Sequence, residues 1–209
     1  MPGAPFSVYL LRHTRVADAS LCYGHHDVAL ADTAAAEIAA VAGRRPLFSP
    51  LAAPRPSALV SPAELPAAPP PRVISSPASR CQQLARALAP EIGLDERLRE
   101  MHFGSWEGRP WASIAAEELN PWMADYVALA PPGGETFRQV QDRAAALLAE
   151  LTAAPQPTVL VTHAGLIRAL LCHCLEMPLR HAFRFGIDFG SVSELRWQGA
   201  HWQVLGVNR

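Results

Sequence analysis

The residues Phe6-Ser-Val-Tyr-Leu-Leu11 are almost all apolar and stop abruptly at Arg12-His13. A run so short and so rich in β-forming residues predicts a buried strand. Val159-Leu-Val-Thr162 repeats the pattern and stops at His163-Ala164-Gly165, and Val73-Ile-Ser75 stops at Ser76-Pro77. Between these runs the apolar period lengthens. Phe137, Val140, Ala144, Leu147, Leu148 and Leu151 recur at helical spacing over 135–152. Further helices are predicted over 33–42, capped by Asp32 and stopped at Gly43, and over 77–89, with Ser76 as N-cap and Pro77 in the first position. Helical segments also read around 111–119, 122–128 and 166–176, and a hairpin over 191–197 and 201–207. Strands alternating with helices predict an α/β three-layer sandwich, a mostly parallel sheet with helices on both faces. Sites in such sheets form at the carboxyl ends of strands. His13 and His163 fall there, with Arg80 just beyond a third strand.

The stretch 46–71 breaks the alternation. It holds nine of the twenty prolines, which neither a helix nor a central strand accommodates. It reads as an irregular insertion into one domain spanning 1–209. A tolerated surface excursion is the plain reading and a flap over the site the sharper one.

Composition narrows the chemistry. Half of the 209 residues are apolar and the net charge is −1, as in a soluble globular protein. There is no lysine; all 18 basic residues are arginines. That excludes a P-loop lysine and Schiff-base chemistry, while arginine offers a planar fork for phosphate oxygens. With no basic excess or basic run, nothing predicts nucleic-acid binding. No basic residue precedes the short apolar run at the N-terminus, so neither a signal peptide nor a membrane span is expected. Cys22, Cys81, Cys172 and Cys174 then suit a reducing cytoplasm. Cys172-His173-Cys174 resembles a metal tract, but neighbours two apart on a helix face different ways. His25-His26-Asp27 lacks a second cluster to complete a site. Neither is read as a metal site, and no cofactor is called for.

Two histidines and two arginines at strand ends suggest a nucleophile beside a phosphate clamp. Taken in order, Leu11-Arg12-His13-Thr14, Ser75-Ser-Pro-Ala-Ser-Arg80, Leu98-Arg-Glu100-Met-His-Phe-Gly-Ser-Trp-Glu-Gly108, Pro132-Gly-Gly-Glu135 and Thr162-His163-Ala-Gly165 resemble the histidine phosphatase (phosphoglycerate mutase-like) superfamily. The resemblance covers nearly all of the chain outside 46–71. It implies that His13 attacks phosphorus to form a phosphohistidine, neutral at that moment and held through its other ring nitrogen. It implies that Arg12, Arg80 and His163 bind the non-bridging oxygens, with backbone N–H groups at Ala164 assisting. Glu100 occupies the position of the general acid, and its pKa should be raised by partial burial and by the incoming phosphate. Glu107 competes for that role, but a loop-fixing carboxylate is the preferred reading. Tyr23 and Gly24 match a small loop lining the substrate pocket, with Asp27 holding that loop. Thr14 stands where the family usually has glycine and Arg15 where an acidic residue is common. Arg15 reads either as a leaving-group contact or as a solvated arginine. Trp106, Trp111 and Trp122 are expected to pack a helical cap.

The Leu98–Gly108 segment with Cys22-Tyr23-Gly24 upstream is similar to bacterial α-ribazole phosphatases, which implies hydrolysis of α-ribazole 5′-phosphate in cobalamin assembly. A broad-specificity metabolite or sugar phosphatase, a phosphoglycerate mutase-type transferase and a binding module with a dead site are the rivals. The implied partner is a small phosphorylated metabolite, and a homodimer stays open.

Overall fold

The computed structural model describes residues 4–44 and 71–209; the proline-rich stretch through residue 70 lies outside them. Among the described residues one sheet has the strand order β3-β2-β4-β1-β5-β6. β1 (Phe6–Arg12), β2 (Arg72–Ser75), β3 (Gly93–Leu94) and β4 (Thr158–Thr162) are parallel. β5 (Val192–Trp197) pairs antiparallel with β1 and carries the hairpin partner β6 (Trp202–Gly206).

The two faces of the sheet are written into β1. Val8 and Leu10 pack with α4 (Phe137–Ala153) and α5 (Ala164–Cys174). Tyr9 and Leu11 pack with α1 (Ala34–Gly43) and α2 (Ser79–Leu88). β4 divides likewise, Leu160 to one face and Val159 and Val161 to the other. A strand covered on both faces must be apolar at every position, since successive side chains point opposite ways. Burying each such side chain contributes about 1.5–3 kcal/mol.

Several element ends differ from the sequence reading, each for a local reason. α2 starts at Ser79 with Ala78 as its N-cap, not at Pro77. Ser76 Oγ accepts from the Ala78 N–H at 3.3 Å, just ahead of the helix, and lies 2.9 Å from the His163 ring Nε2. The N-cap of α1 is Thr33 and not Asp32, and the Thr33 hydroxyl donates to the Glu37 carboxylate instead of meeting a backbone N–H. The break expected before Trp122 is absent: α3 (Ala116–Ala124) runs through Pro121, on its exposed side. Residues 111–113 make only a single tight turn. α4 begins after a capping box in which Thr136 and Gln139 exchange hydrogen bonds. β3, two exposed residues long, has no periodic signature to find.

Candidate active site

The ladder brings three strand ends to one level. Arg12 lies opposite Thr162 in the β1–β4 register. One residue further, His13 N–H donates to the Thr162 carbonyl at 3.0 Å, and Ser76 N–H donates to the Val161 carbonyl at 2.9 Å. The rings of His13 and His163 are thereby set with centroids 5.2 Å apart.

His13 is buried, with Nδ1 2.7 Å from the Thr14 carbonyl. A carbonyl only accepts, so Nδ1 carries the hydrogen and Nε2 keeps its lone pair. Burial first, and the Arg80 charge second, push the His13 pKa down to about 3. His163 caps the start of α5, and burial followed by the Arg80 charge holds its pKa well below the usual histidine range. Both rings are neutral at physiological pH.

The arginines surround this pair. Arg80 is fully buried and donates through Nη2 to the Gly24 carbonyl (2.6 Å) and through Nη1 to the His26 carbonyl (3.0 Å) and Asp27 Oδ1 (3.2 Å). Arg12 donates through Nη1 to the Ile187 carbonyl at 2.7 Å, its Cζ 3.6 Å from the centre of the Phe189 ring. In both guanidinium groups Nε is buried and has no hydrogen-bond partner among the described residues.

Glu100 accepts from its neighbour Met101 N–H (3.1 Å) and from Gly165 N–H (3.0 Å) in the first turn of α5. Any side chain at 165 would collide with it, since a Cβ there would lie 2.3 Å from Glu100 Oε1. Glu107 is the loop-fixing carboxylate: it accepts from the N–H groups of Gly24, His25, His26 and Phe103 at 2.8–3.0 Å. Asp27 ties the same loop to Arg80 and to the Ser79 N–H.

These groups meet a cavity of about 660 Å³ lined by Arg12, His13, Tyr23, Glu100 and Ala164. Arg80 and His163 are buried, at 0% and 1% exposure, and neither they nor Gly24 are among the residues lining it. Gly24 instead packs against the Met101 carbonyl, where a Cβ would approach to 1.8 Å. Arg15 is exposed and paired with Glu37 at 3.2 Å, away from the cavity lining. Cys172 is buried while His173 is exposed, as opposite helix faces require. Among the described residues no cluster of three or more His, Cys, Asp or Glu is arranged to hold a metal ion, and no helix is long and apolar enough to cross a membrane.

The sequence profile of the histidine phosphatase superfamily (branch 1) matches residues 8–209. The chain belongs to that superfamily. It is similar to the glucosyl-3-phosphoglycerate phosphatase of Mycobacterium tuberculosis, 35% identical over 147 residues, an alignment spanning 62% of this chain and 65% of that protein's length. The solved structure of mycobacterial glucosyl-3-phosphoglycerate phosphatase with VO3 superposes with a TM-score of 0.78 at 27% identity, covering 97% of this chain and 98% of that one. The α-ribazole phosphatase of Shigella flexneri shares the fold, with a TM-score of 0.79 at 21% identity over 98% of this chain and 96% of that one.

Two arginines of this superfamily member escape a reading of its sequence. Arg143 points all five of its N–H bonds at the chain around Glu100: to the carbonyls of Arg97 (2.6 Å), Arg99 (2.7 Å) and Glu100 (2.9 Å) and to both oxygens of Glu135 (2.7 and 3.2 Å). That explains the Pro132-Gly-Gly-Glu135 motif as a clamp on the Glu100 segment. Arg168 lines the cavity one helical turn after Ala164. Its spacing of four residues from Ala164 is the signal that was available.

Proposed function

We propose that this protein is a metal-independent phosphomonoesterase that works through a phosphohistidine at His13, on one catalytic domain carrying the insertion at 46–71. The observation that carries the reading is the pairing of a neutral, Nδ1-anchored His13 with two buried guanidinium Nε donors that lack partners. Buried charged donors without partners cost stability, and a tetrahedral dianion is the ligand that satisfies both. The lone pair on His13 Nε2 attacks phosphorus, and the ester P–O bond breaks as Glu100 gives its proton to the leaving oxygen. Water then attacks the phosphohistidine, Glu100 takes the water proton, the P–N bond breaks, and inorganic phosphate leaves with His13 restored. Arg12 and Arg80 stabilise the charge spread over the equatorial oxygens. His163 is neutral until a dianion arrives; the dianion favours its protonated form and adds a third charged donor.

The substrate is a small phosphorylated metabolite, met in the cytoplasm and without nucleic acid. Within that class the Leu98–Gly108 segment and the Cys22-Tyr23-Gly24 loop favour α-ribazole 5′-phosphate. Glucosyl-3-phosphoglycerate is the second reading, resting on the mycobacterial relative. Phosphate release from p-nitrophenyl phosphate tests the mechanism. The wild type turns over with or without EDTA and His13→Ala does not. Inactivity of the wild type, or loss of its activity on chelation, would overturn the reading.

A further inference from the structure

Above the chemistry the cavity changes character. Its wall is built from Phe103, Trp111, Trp122, Tyr126, Phe137 and Phe183. These rings brace one another: Trp122 stacks with Trp111 at 6.2 Å and stands edge-on to Phe103 at 6.0 Å, while Tyr126 meets Phe183 edge-on at 5.1 Å. A ring wedged between other rings holds its orientation, so the wall has a set shape. Its rim is apolar too. Phe183 and Met123, both lining the mouth, are 60% and 59% exposed and are the most exposed large apolar side chains among the described residues. A contiguous apolar surface that opens into a reaction cavity marks a ligand contact.

One cation interrupts this wall. Arg168 donates Nε to the Phe185 carbonyl at 3.0 Å, and its Cζ lies 5.1 Å from the centre of the Phe183 ring. No salt bridge to a carboxylate is found for it among the described residues. A many-hydroxyl leaving group would have to shed its water against six aromatic rings, on a wall whose polar atoms include Arg168 and the Trp122 Nε1, the latter buried without a partner among the described residues.

We infer that the site selects monophosphates of alcohols carrying a bulky, uncharged aromatic body, packed against Trp111, Trp122 and Phe183. Arg168 meets a polar atom of the leaving group near the scissile bond. The inference rests on the phosphomonoesterase reading and names its substrate class, favouring a nucleoside-type ester over an acidic sugar.

Pairs of esters with leaving groups of similar acidity test it on the full chain: 2-naphthyl against phenyl phosphate, and 2-phenylethyl against ethyl phosphate. The added ring is expected to raise kcat/KM by about 10–100-fold. Phe183→Ala and Trp111→Ala, at partly exposed positions, are each expected to reduce that ratio several-fold, with melting curves confirming that the variants fold. 3-Phosphoglycerate is expected to be turned over more slowly than 2-phenylethyl phosphate. Equal rates within both pairs overturn the inference, as does a preference that survives both substitutions or faster turnover of 3-phosphoglycerate. All three outcomes leave the phosphomonoesterase reading standing; that reading fails separately, if phenyl phosphate releases no phosphate at all.

Discussion

His13 gives its Nδ1 hydrogen to the carbonyl of Thr14, the next residue in the chain, at 2.7 Å. The tautomer of His13, the proposed nucleophile, is therefore set by local backbone and needs no carboxylate partner. Thr14 is fully buried, and its branched Cβ restricts the backbone that presents this carbonyl. The departure from glycine at 14 thus bears on how the His13 ring is held.

A phosphohistidine leaves a chemical signature. Brief exposure to a labelled phosphate ester should leave label on the wild-type chain that survives alkali and is lost in acid. The His13→Ala chain should take up none. Label of equal amount on the variant would place the nucleophile elsewhere.

The two neutral imidazoles make stability depend on pH. Unfolded, each histidine takes a proton near 6.5; folded, His13 does so only near about 3, and the His163 pKa is depressed in the same direction. Below about pH 6.5 the unfolded chain binds more protons, so stability is fully present above that point and declines as pH falls. Two such groups give a slope approaching ~2.7 kcal/mol per pH unit. Urea midpoints measured at steps between neutral pH and about pH 5 should fall, and saturating phosphate or vanadate should oppose the fall. A flat profile would mean that the rings protonate within the folded protein.

Glu100→Gln should slow esters in proportion to the basicity of their leaving groups. An alkyl ester, which cannot depart without a proton, should lose about 10²–10⁴-fold in rate, and p-nitrophenyl phosphate much less. The measurement is a plot of rate against leaving-group acidity for both proteins. Parallel lines would remove Glu100 from the acid role.

Burial would raise the Glu107 carboxyl, but N–H groups from Gly24, Phe103, His25 and His26 outweigh it and hold its pKa below the usual carboxylate range. Glu107→Ala leaves four donors without a charged partner and should cost roughly 3 kcal/mol or more. It should also weaken phosphate inhibition, because the Gly24 and His26 carbonyls that it positions hold Arg80. Urea unfolding and the inhibition constant for phosphate read the two effects. A stable variant with unchanged inhibition would show that the loop stands without the carboxylate.

Gly24→Ala probes the same loop from its other side. The new Cβ would fall 1.8 Å from the Met101 carbonyl, so backbone must move. Activity should drop with stability, and an unchanged melting temperature would contradict that contact.

Much of the site was legible along the chain because its parts are local. Each of Arg12-His13, Arg80 and His163 follows a short apolar run, and each run ends where the sheet ends. Glu107 was legible as a structural carboxylate within its own loop. Arg143 was not, because an arginine in mid-helix looks solvated until the chain from Arg97 to Glu100 folds over it. The true start of α2 was hidden likewise: Ser76 is a good cap in isolation, yet its hydroxyl meets the Ala78 N–H ahead of the helix and the His163 ring from a distant segment. Phe189 and the Ile187 carbonyl, which bracket Arg12, carry no local signal at all.

The order and length of apolar runs determined the strands other than the two-residue β3, most of the helices, the two-faced sheet and the level at which the candidate side chains emerge. Backbone periodicity acts within a few residues, so it can be read without coordinates. Which charge is buried against which carbonyl, which ring nitrogen keeps its lone pair and what lines the mouth of the cavity were decided by tertiary structure alone. Those properties depend on desolvation and on contacts between segments far apart in the chain, and both arise only when the segments close on one another.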